Sequence, residues 1–431
     1  MLMAGPRPYD LSKADRSRKG GSKMNATIFS RFISRKGRLP LRFTGGILAL
    51  VLALGSVPLA CGQQEAQPGS SRTTPIPASE FSRMVQEFSE EGGYFYSDNF
   101  TSNETSYLHI VGKLQEMGIS GGAYLGVAPE QNFTYIAKIR PRIAFIVDIR
   151  RQALIHHLLY KAIFHLAKNR AQFLSWLFSK PLPERATVGA NSSLEELLAY
   201  FSDAPGPREA FLANLAAIRK TMERDFQFPL SPSDEQTLEY VYNAFWQANL
   251  RISFRLGSPG FGGWWGGFPN LRDLLLATDL NGKTGNFLAQ EEDYQFVRNL
   301  QRQNRVIPVV GDFAGTKALA TVGDYLRRNQ YTVSAFYVSN VEQFLFANEV
   351  FDSFVKNIRK LPISDKSVFV RSIRSGWDRH PAYVPGHRMT TLLGKIAVFL
   401  KDYEAGLYPD YWSLATTHYI AANEPSPVLV P

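Results

Sequence analysis

The sequence predicts an α/β fold with a mainly parallel sheet, on three observations. Apolar runs of strand length recur at least five times and alternate with stretches of helical spacing. Residues Ala123 to Ile149 read strand, turn, helix, strand, which is a βαβ unit. A block of helical character, from about residue 168 to 303, is inserted between the second and third strands. With 45% hydrophobic and 20% charged residues in a chain of 431, there is enough apolar material for a large core. That composition excludes a disordered tail protein, a fibrous repeat and a multispan membrane protein.

The first element, residues 1–61, is a leader. Of the formal charge of +10, nearly all resides here: Met1 to Gly46 holds eleven Lys/Arg against Asp10 and Asp15. The remainder is close to neutral, which argues against nucleic acid as a partner. Translation starts at Met1 or Met24. An uncharged run follows, from Gly45 through Leu54 to Cys61, ending in small residues, the order of parts in a secretory signal. The apolar stretch is short for a spanning helix, so cleavage is expected, with a retained anchor and a cytoplasm-facing body as the alternative. Leu59-Ala60-Cys61-Gly62 resembles the lipobox of bacterial lipoproteins. That resemblance implies lipid modification of Cys61, attachment to the membrane and a place in the cell envelope. Cys61 is the one cysteine of the chain, so no internal disulfide is expected. Residues 62–79, rich in Pro, Ser and Gly, read as a linker.

The body is expected near Glu80, its first half running over 80–167. One or two helices cover Glu80 to Met117, with Phe81, Met84, Val85 and Phe88 at helical spacing. Strands are expected at Ala123–Val127 and Ile143–Ile149, with a helix over Phe133 to Ile139 between them. The second strand is continuously apolar, as in a strand buried on both faces. A helix spans Arg150 to Leu166. Its His156, His157 and His165 have no acidic or cysteine partner at ligand spacing, so surface or capping roles are expected and no metal. The insertion, 168–303, carries helices over Ser193–Phe201, Pro207–Phe226 and Ser233–Leu250, the last capped by Ser231-Pro232. It also carries the glycine and tryptophan loop Gly257–Pro269. The second half, 304–431, has strands at Val306–Val310, Val333–Val338 and Ser367–Ile373, and helices over Thr316–Arg328, Val350–Lys360 and Thr390–Tyr403.

In open α/β sheets ligands bind at the carboxyl ends of the strands, near the point where strand order reverses. Gly126 ends the first strand and permits close backbone approach. Asp148 ends the second, 22 residues later, the distance at which an acid reaches a ribose hydroxyl pair. Asp312 follows the third, and Asn340 and Glu342 the fourth. Gly126-Val127-Ala128-Pro129 is not a pyrophosphate loop, because Pro129 withholds an amide. A ligand without phosphate at that turn, such as S-adenosylmethionine, fits better. Glu130, Asn340 and Glu342 are candidate catalytic groups that would align an acceptor or take its proton, with Tyr337 and His387 behind them. Arg140, Arg142, Arg150 and Arg151 read as a solvated basic rim.

The runs Tyr124–Ile136, Arg140–Arg151, Val309–Phe313, Tyr337–Gln343 and Asp402–Gly406, with Tyr411-Trp412, resemble an uncharacterised bacterial lipoprotein-like family. Its body is similar to the Rossmann-like class I S-adenosylmethionine methyltransferases, over about residues 80 to 415. The resemblance implies that Gly126 contacts the methionine part of the cofactor, Asp148 the ribose and Asp312 the adenine. Two functions follow as expectations. One is methyl transfer from S-adenosylmethionine to an unknown acceptor; the other is a non-catalytic envelope lipoprotein that binds a small ligand or envelope component in the same cleft.

Overall fold

The computed structural model describes residues 74–183, 188–202, 205–256, 267–374 and 379–423. The leader, Cys61, most of the linker and most of the Gly257–Pro269 loop lie outside the described residues. At the centre is a sheet of six strands: β1 Ala123–Gly126, β2 Ile143–Asp148, β3 Val306–Val310, β4 Val333–Ser339, β5 Val368–Arg374 and β6 Met389–Lys395. Their spatial order is β3-β2-β1-β4-β5-β6. The first five run parallel and β6 pairs antiparallel with β5, placing Val368 opposite Lys395. Strand order reverses between β1 and β4, an arrangement compatible with a Rossmann-like fold. The continuous apolar runs of β1, β2 and β3 follow from this, since every residue of these strands is buried.

Helices cover both faces. In chain order they are α1 Ala78–Phe88, α2 Val111–Glu116, α3 Gln131–Ile139, α4 Arg151–Leu166, α5 Arg170–Phe178, α6 Leu194–Tyr200, α7 Arg208–Lys220, α8 Pro232–Ala248, α9 Leu271–Leu275, α10 Glu291–Arg302, α11 Ala318–Arg328, α12 Val341–Ala347, α13 Phe351–Ile358, α14 Ile396–Glu404 and α15 Tyr411–Thr416. Those from α5 to α10 form the insertion between β2 and β3. Its helix starts obey their local signals: Ser193 with Glu196 and Ser231 with Asp234 form capping boxes, and Pro232 occupies the first turn of α8. Among the described residues no helix is long and apolar enough to cross a membrane.

Three expectations are corrected. Met389–Lys395 is a strand, and the expected helix over Thr390–Tyr403 begins only at Ile396. A short apolar run does not reveal its period, and here the β-branched Thr390 and Thr391 join the free edge of β5. His156 and His157 are buried rather than surface groups, because α4 is enclosed between the sheet and the insertion. Arg150 is buried as well and is no part of a solvated rim.

Candidate functional site

The carboxyl edge of the sheet gathers all the strand-end residues singled out above. At the end of β1, Gly126 leaves the close approach expected of it: a Cβ there would lie 1.9 Å from Asn132 Oδ1. The approaching group is therefore the chain's own Asn132, fully buried on the first turn of α3. Its Nδ2 donates to the carbonyls of Val127, Ala128 and Pro129, each at 2.8 Å, while its Oδ1 accepts from the Tyr124 hydroxyl at 2.9 Å. His157 Nε2 stands 2.9 Å from the same Ala128 carbonyl. Burial holds the His157 imidazole down to about 4, so it is neutral at physiological pH. These ties fix Ala128 at φ 66°, a left-handed conformation that an alanine adopts only when its surroundings impose it.

Asp148 ends β2 buried, and both its oxygens are taken. Arg150 donates to Oδ1 through its backbone N–H and Nε, at 3.0 Å each, and to Oδ2 through Nη2 at 2.8 Å. Burial opposes ionisation of this carboxyl, but the Arg150 charge and hydrogen bonds prevail and hold it below the ordinary value. Arg150 Nη1 in turn donates to the Ser97 carbonyl at 3.1 Å.

Glu342, on the first turn of α12, is buried in a two-point ion pair with Arg371 of β5, at 2.6 and 3.0 Å. Asn340 stands at the start of α12 without capping it through its side chain. Asp312 uses Oδ1 to accept the Ala314 N–H at 2.8 Å, within the loop that leads from β3 to α11.

A feature that local sequence reading does not find joins these places. Residues 89–110, between α1 and α2, form a strap that crosses the sheet edge in strand order. At β3, Val310 donates to Ser89 Oγ at 3.0 Å and Glu90 donates its backbone N–H to the Val310 carbonyl at 2.8 Å. The Glu90 carboxylate is wrapped by the loop after β3, accepting the backbone N–H groups of Asp312, Lys317 and Ala318 at 3.1, 2.8 and 2.7 Å. This satisfies the start of α11 with a negative charge from a distant part of the chain. Beyond β2, Gly93 donates to the Ile149 carbonyl at 2.7 Å. Beyond β1, the Ser102 N–H donates to both oxygens of Glu130, at 3.1 and 3.2 Å. At β4, Glu104 is inserted between Ser339, whose hydroxyl donates to it, and Gln131, whose Nε2 donates at 3.0 Å. Ser106 meets Thr391 of β6 at 2.9 Å, and Thr105 meets His387 Nδ1 at the same distance.

Glu130 and Glu104 are thus two buried acids at the point where strand order reverses. Burial pushes Glu130 up to about 7, with Glu104 adding to the effect, and burial raises Glu104 too. Tyr337, buried on β4, lies beside Glu104. The cavity next to Glu130, Gln131, Ser102 and Tyr107 measures about 10 Å³, at the lower limit for a single water molecule. Among the described residues no three or more His, Cys, Asp or Glu side chains are grouped to hold a metal ion.

The comparisons with known proteins add one finding. No curated protein matches the chain. A family model described as a domain of unknown function, DUF7790, matches residues 99–188 and 199–394, the second half of the strap and nearly the whole sheet. With more than half of its length matched, the chain belongs to the DUF7790 family.

Proposed function

We propose that this chain is a non-catalytic binding protein, exported by its leader and held in the cell envelope through lipid on Cys61. The observation that carries the reading is the strap. Each place that S-adenosylmethionine would use is filled by the chain itself: Asn132 occupies the approach to Gly126, Arg150 takes both oxygens of Asp148, and Glu90 fills the loop around Asp312. At the reversal point, Glu104 and Ser102 of the strap cover Glu130. The residues present do not fit the cofactor, and the α/β sheet serves as a scaffold. Loops at its carboxyl edge remain the natural place to receive a ligand from outside.

Calorimetry of the full chain with S-adenosylmethionine tests this. No heat of binding is expected at millimolar cofactor. Saturable binding that Asp148→Ala abolishes would restore the methyltransferase reading, which the strand order alone now favours. Mass analysis of the mature N-terminus tests the tether, with a diacylglyceryl-modified Cys61 as the expected first residue.

A further inference from the structure

On the carboxyl edge, at the outer side of the strap, lies a shallow, largely open groove of about 390 Å³ lined by Asp98, Gln152, Ser233, Gln236, Thr237 and Tyr240. Three elements converge to make it: the strap, the first turn of α4 and the first turns of α8. Its walls are braced before any ligand arrives. Arg151 of α4 holds Asp234 of α8 through two hydrogen bonds of 2.9 Å, and Asp234 closes the capping box of α8 with Ser231. Asp98 is backed by the two-residue ladder in which Ser97-Asp98 pairs with Arg255-Leu256.

The chemistry of the lining is selective. The Asp98 carboxylate has no cation within ion-pair distance among the described residues. It is oriented instead by two neutral donors, Gln152 Nε2 to Oδ1 at 3.0 Å and the Tyr240 hydroxyl to Oδ2 at 2.7 Å. One neutral donor on each oxygen leaves further lone pairs on both. A fixed carboxylate with open positions on both oxygens matches a pair of adjacent hydroxyls. The Gln236 amide is exposed and makes no hydrogen bond among the described residues, so it offers both a donor and an acceptor. Thr237 donates its hydroxyl to the Ser233 carbonyl at 2.9 Å and keeps its oxygen free to accept. Tyr240 is 49% exposed, and its ring is supported from behind by Phe100, with centroids 5.7 Å apart. An exposed, supported ring next to such hydrogen-bonding groups suits a ligand with one apolar and one hydroxylated face. Among the described residues no basic side chain lines the groove, which disfavours phosphates and other anions.

We propose that this groove binds a neutral saccharide: Asp98 accepts two adjacent hydroxyls, Gln236 and Thr237 bond a third, and the Tyr240 ring takes the apolar face of the sugar. The assignment deepens the binding-protein reading and rests on it. The test is titration calorimetry of the full chain with maltotetraose, cellotetraose and tetra-N-acetylchitotetraose. At least one should bind with a Kd of roughly 0.1–10 mM, the range of a few directed hydrogen bonds and one stacked ring. Asp98→Ala and Tyr240→Ala should each weaken it tenfold or more, and Tyr240→Phe, which keeps the ring, by less. Gln236→Ala, at an exposed position with no internal partner, should still weaken binding at least threefold if the first two variants fail to fold. Arg359→Ala, on the opposite edge, should leave it unchanged. Absence of binding by all three sugars at 10 mM, or binding indifferent to Asp98 and Gln236, overturns the assignment. Silence toward both sugars and S-adenosylmethionine would remove the saccharide site alone, whereas Asp148-dependent cofactor binding would remove the reading beneath it.

Discussion

Replacing Glu130 by Gln should make the folded protein less sensitive to pH, by an amount the structure fixes. The Glu130 carboxyl is buried, accepts the Ser102 N–H from the strap and faces a second buried acid, Glu104. Its folded value of about 7 against the ordinary 4.5 corresponds to about 3 kcal/mol. Between those values the folded state holds a proton that the unfolded chain has released, so stability falls as pH rises. The contribution is present below pH 4.5 and lost as pH passes through 7. Glutamine keeps an acceptor for Ser102 and removes the ionisation, and Glu104 acts in both proteins. Urea denaturation at pH 5 and pH 8 should therefore show the variant gaining roughly 2–3 kcal/mol on the wild type across that interval. An equal difference between the two proteins at both pH values would refute the burial of Glu130 beneath the strap.

Other positions carry predictions of the same kind. Lys161 is buried between the Phe81 and Phe226 rings with the Gln301 carbonyl as its acceptor, and burial lowers it from 10.5 to about 7. The unfolded chain then holds the extra proton between pH 7 and 10.5, so wild-type stability rises with pH by up to about 5 kcal/mol. Lys161→Met should be the more stable protein at pH 6 in guanidinium denaturation and lack that rise. Asn132→Ala frees three carbonyls and the Tyr124 hydroxyl and should cost about 2–4 kcal/mol in thermal or urea unfolding. Asn132→Asp should cost more, because a carboxylate cannot donate to those carbonyls. Glu90→Ala should loosen the strap, seen as at least tenfold faster chymotrypsin cleavage at Tyr94 to Tyr96. Acetate should slow that cleavage by refilling the loop after β3, and equal cleavage of wild type and variant would deny Glu90 its holding role.

The parts of this molecule that were legible in the sequence are those whose cause is local. β2 shows itself because both its faces are buried, and α8 because Ser231, Pro232 and Asp234 stand in capping order. β6 was hidden because its seven residues are too few to display a period and run directly into α14. The strap was hidden for a different reason: its bonds join residues far apart, as Glu104 to Ser339 or Glu90 to Lys317, and no spacing rule connects them. The site residues divide in the same way. That Gly126 leaves room for a close approach and that Asp148 ends a strand are local properties, and both are found. Which group approaches them is a tertiary property. Asn132 lies six positions from Gly126 and Arg150 two from Asp148, yet nothing in the sequence says that these side chains turn inward onto them.

The path of the chain gives the strap a direction as well as a position. At Thr74 the described chain is docked to the amino edge of the sheet: Arg305, just before β3, donates to the Thr74 carbonyl at 2.8 Å, and Ile76 donates to the Gln303 carbonyl at 3.0 Å. From there α1 runs beside β3 to the carboxyl edge, reaching it where Ser89 accepts from Val310. Eleven helical residues rise about 16 Å. The described chain thus enters at the amino edge, while the strap and the Asp98 groove lie on the edge opposite. The strap that crosses the sheet edge also carries Asp98, so one segment both packs over the strand ends and supplies the central acceptor proposed for the groove beside it.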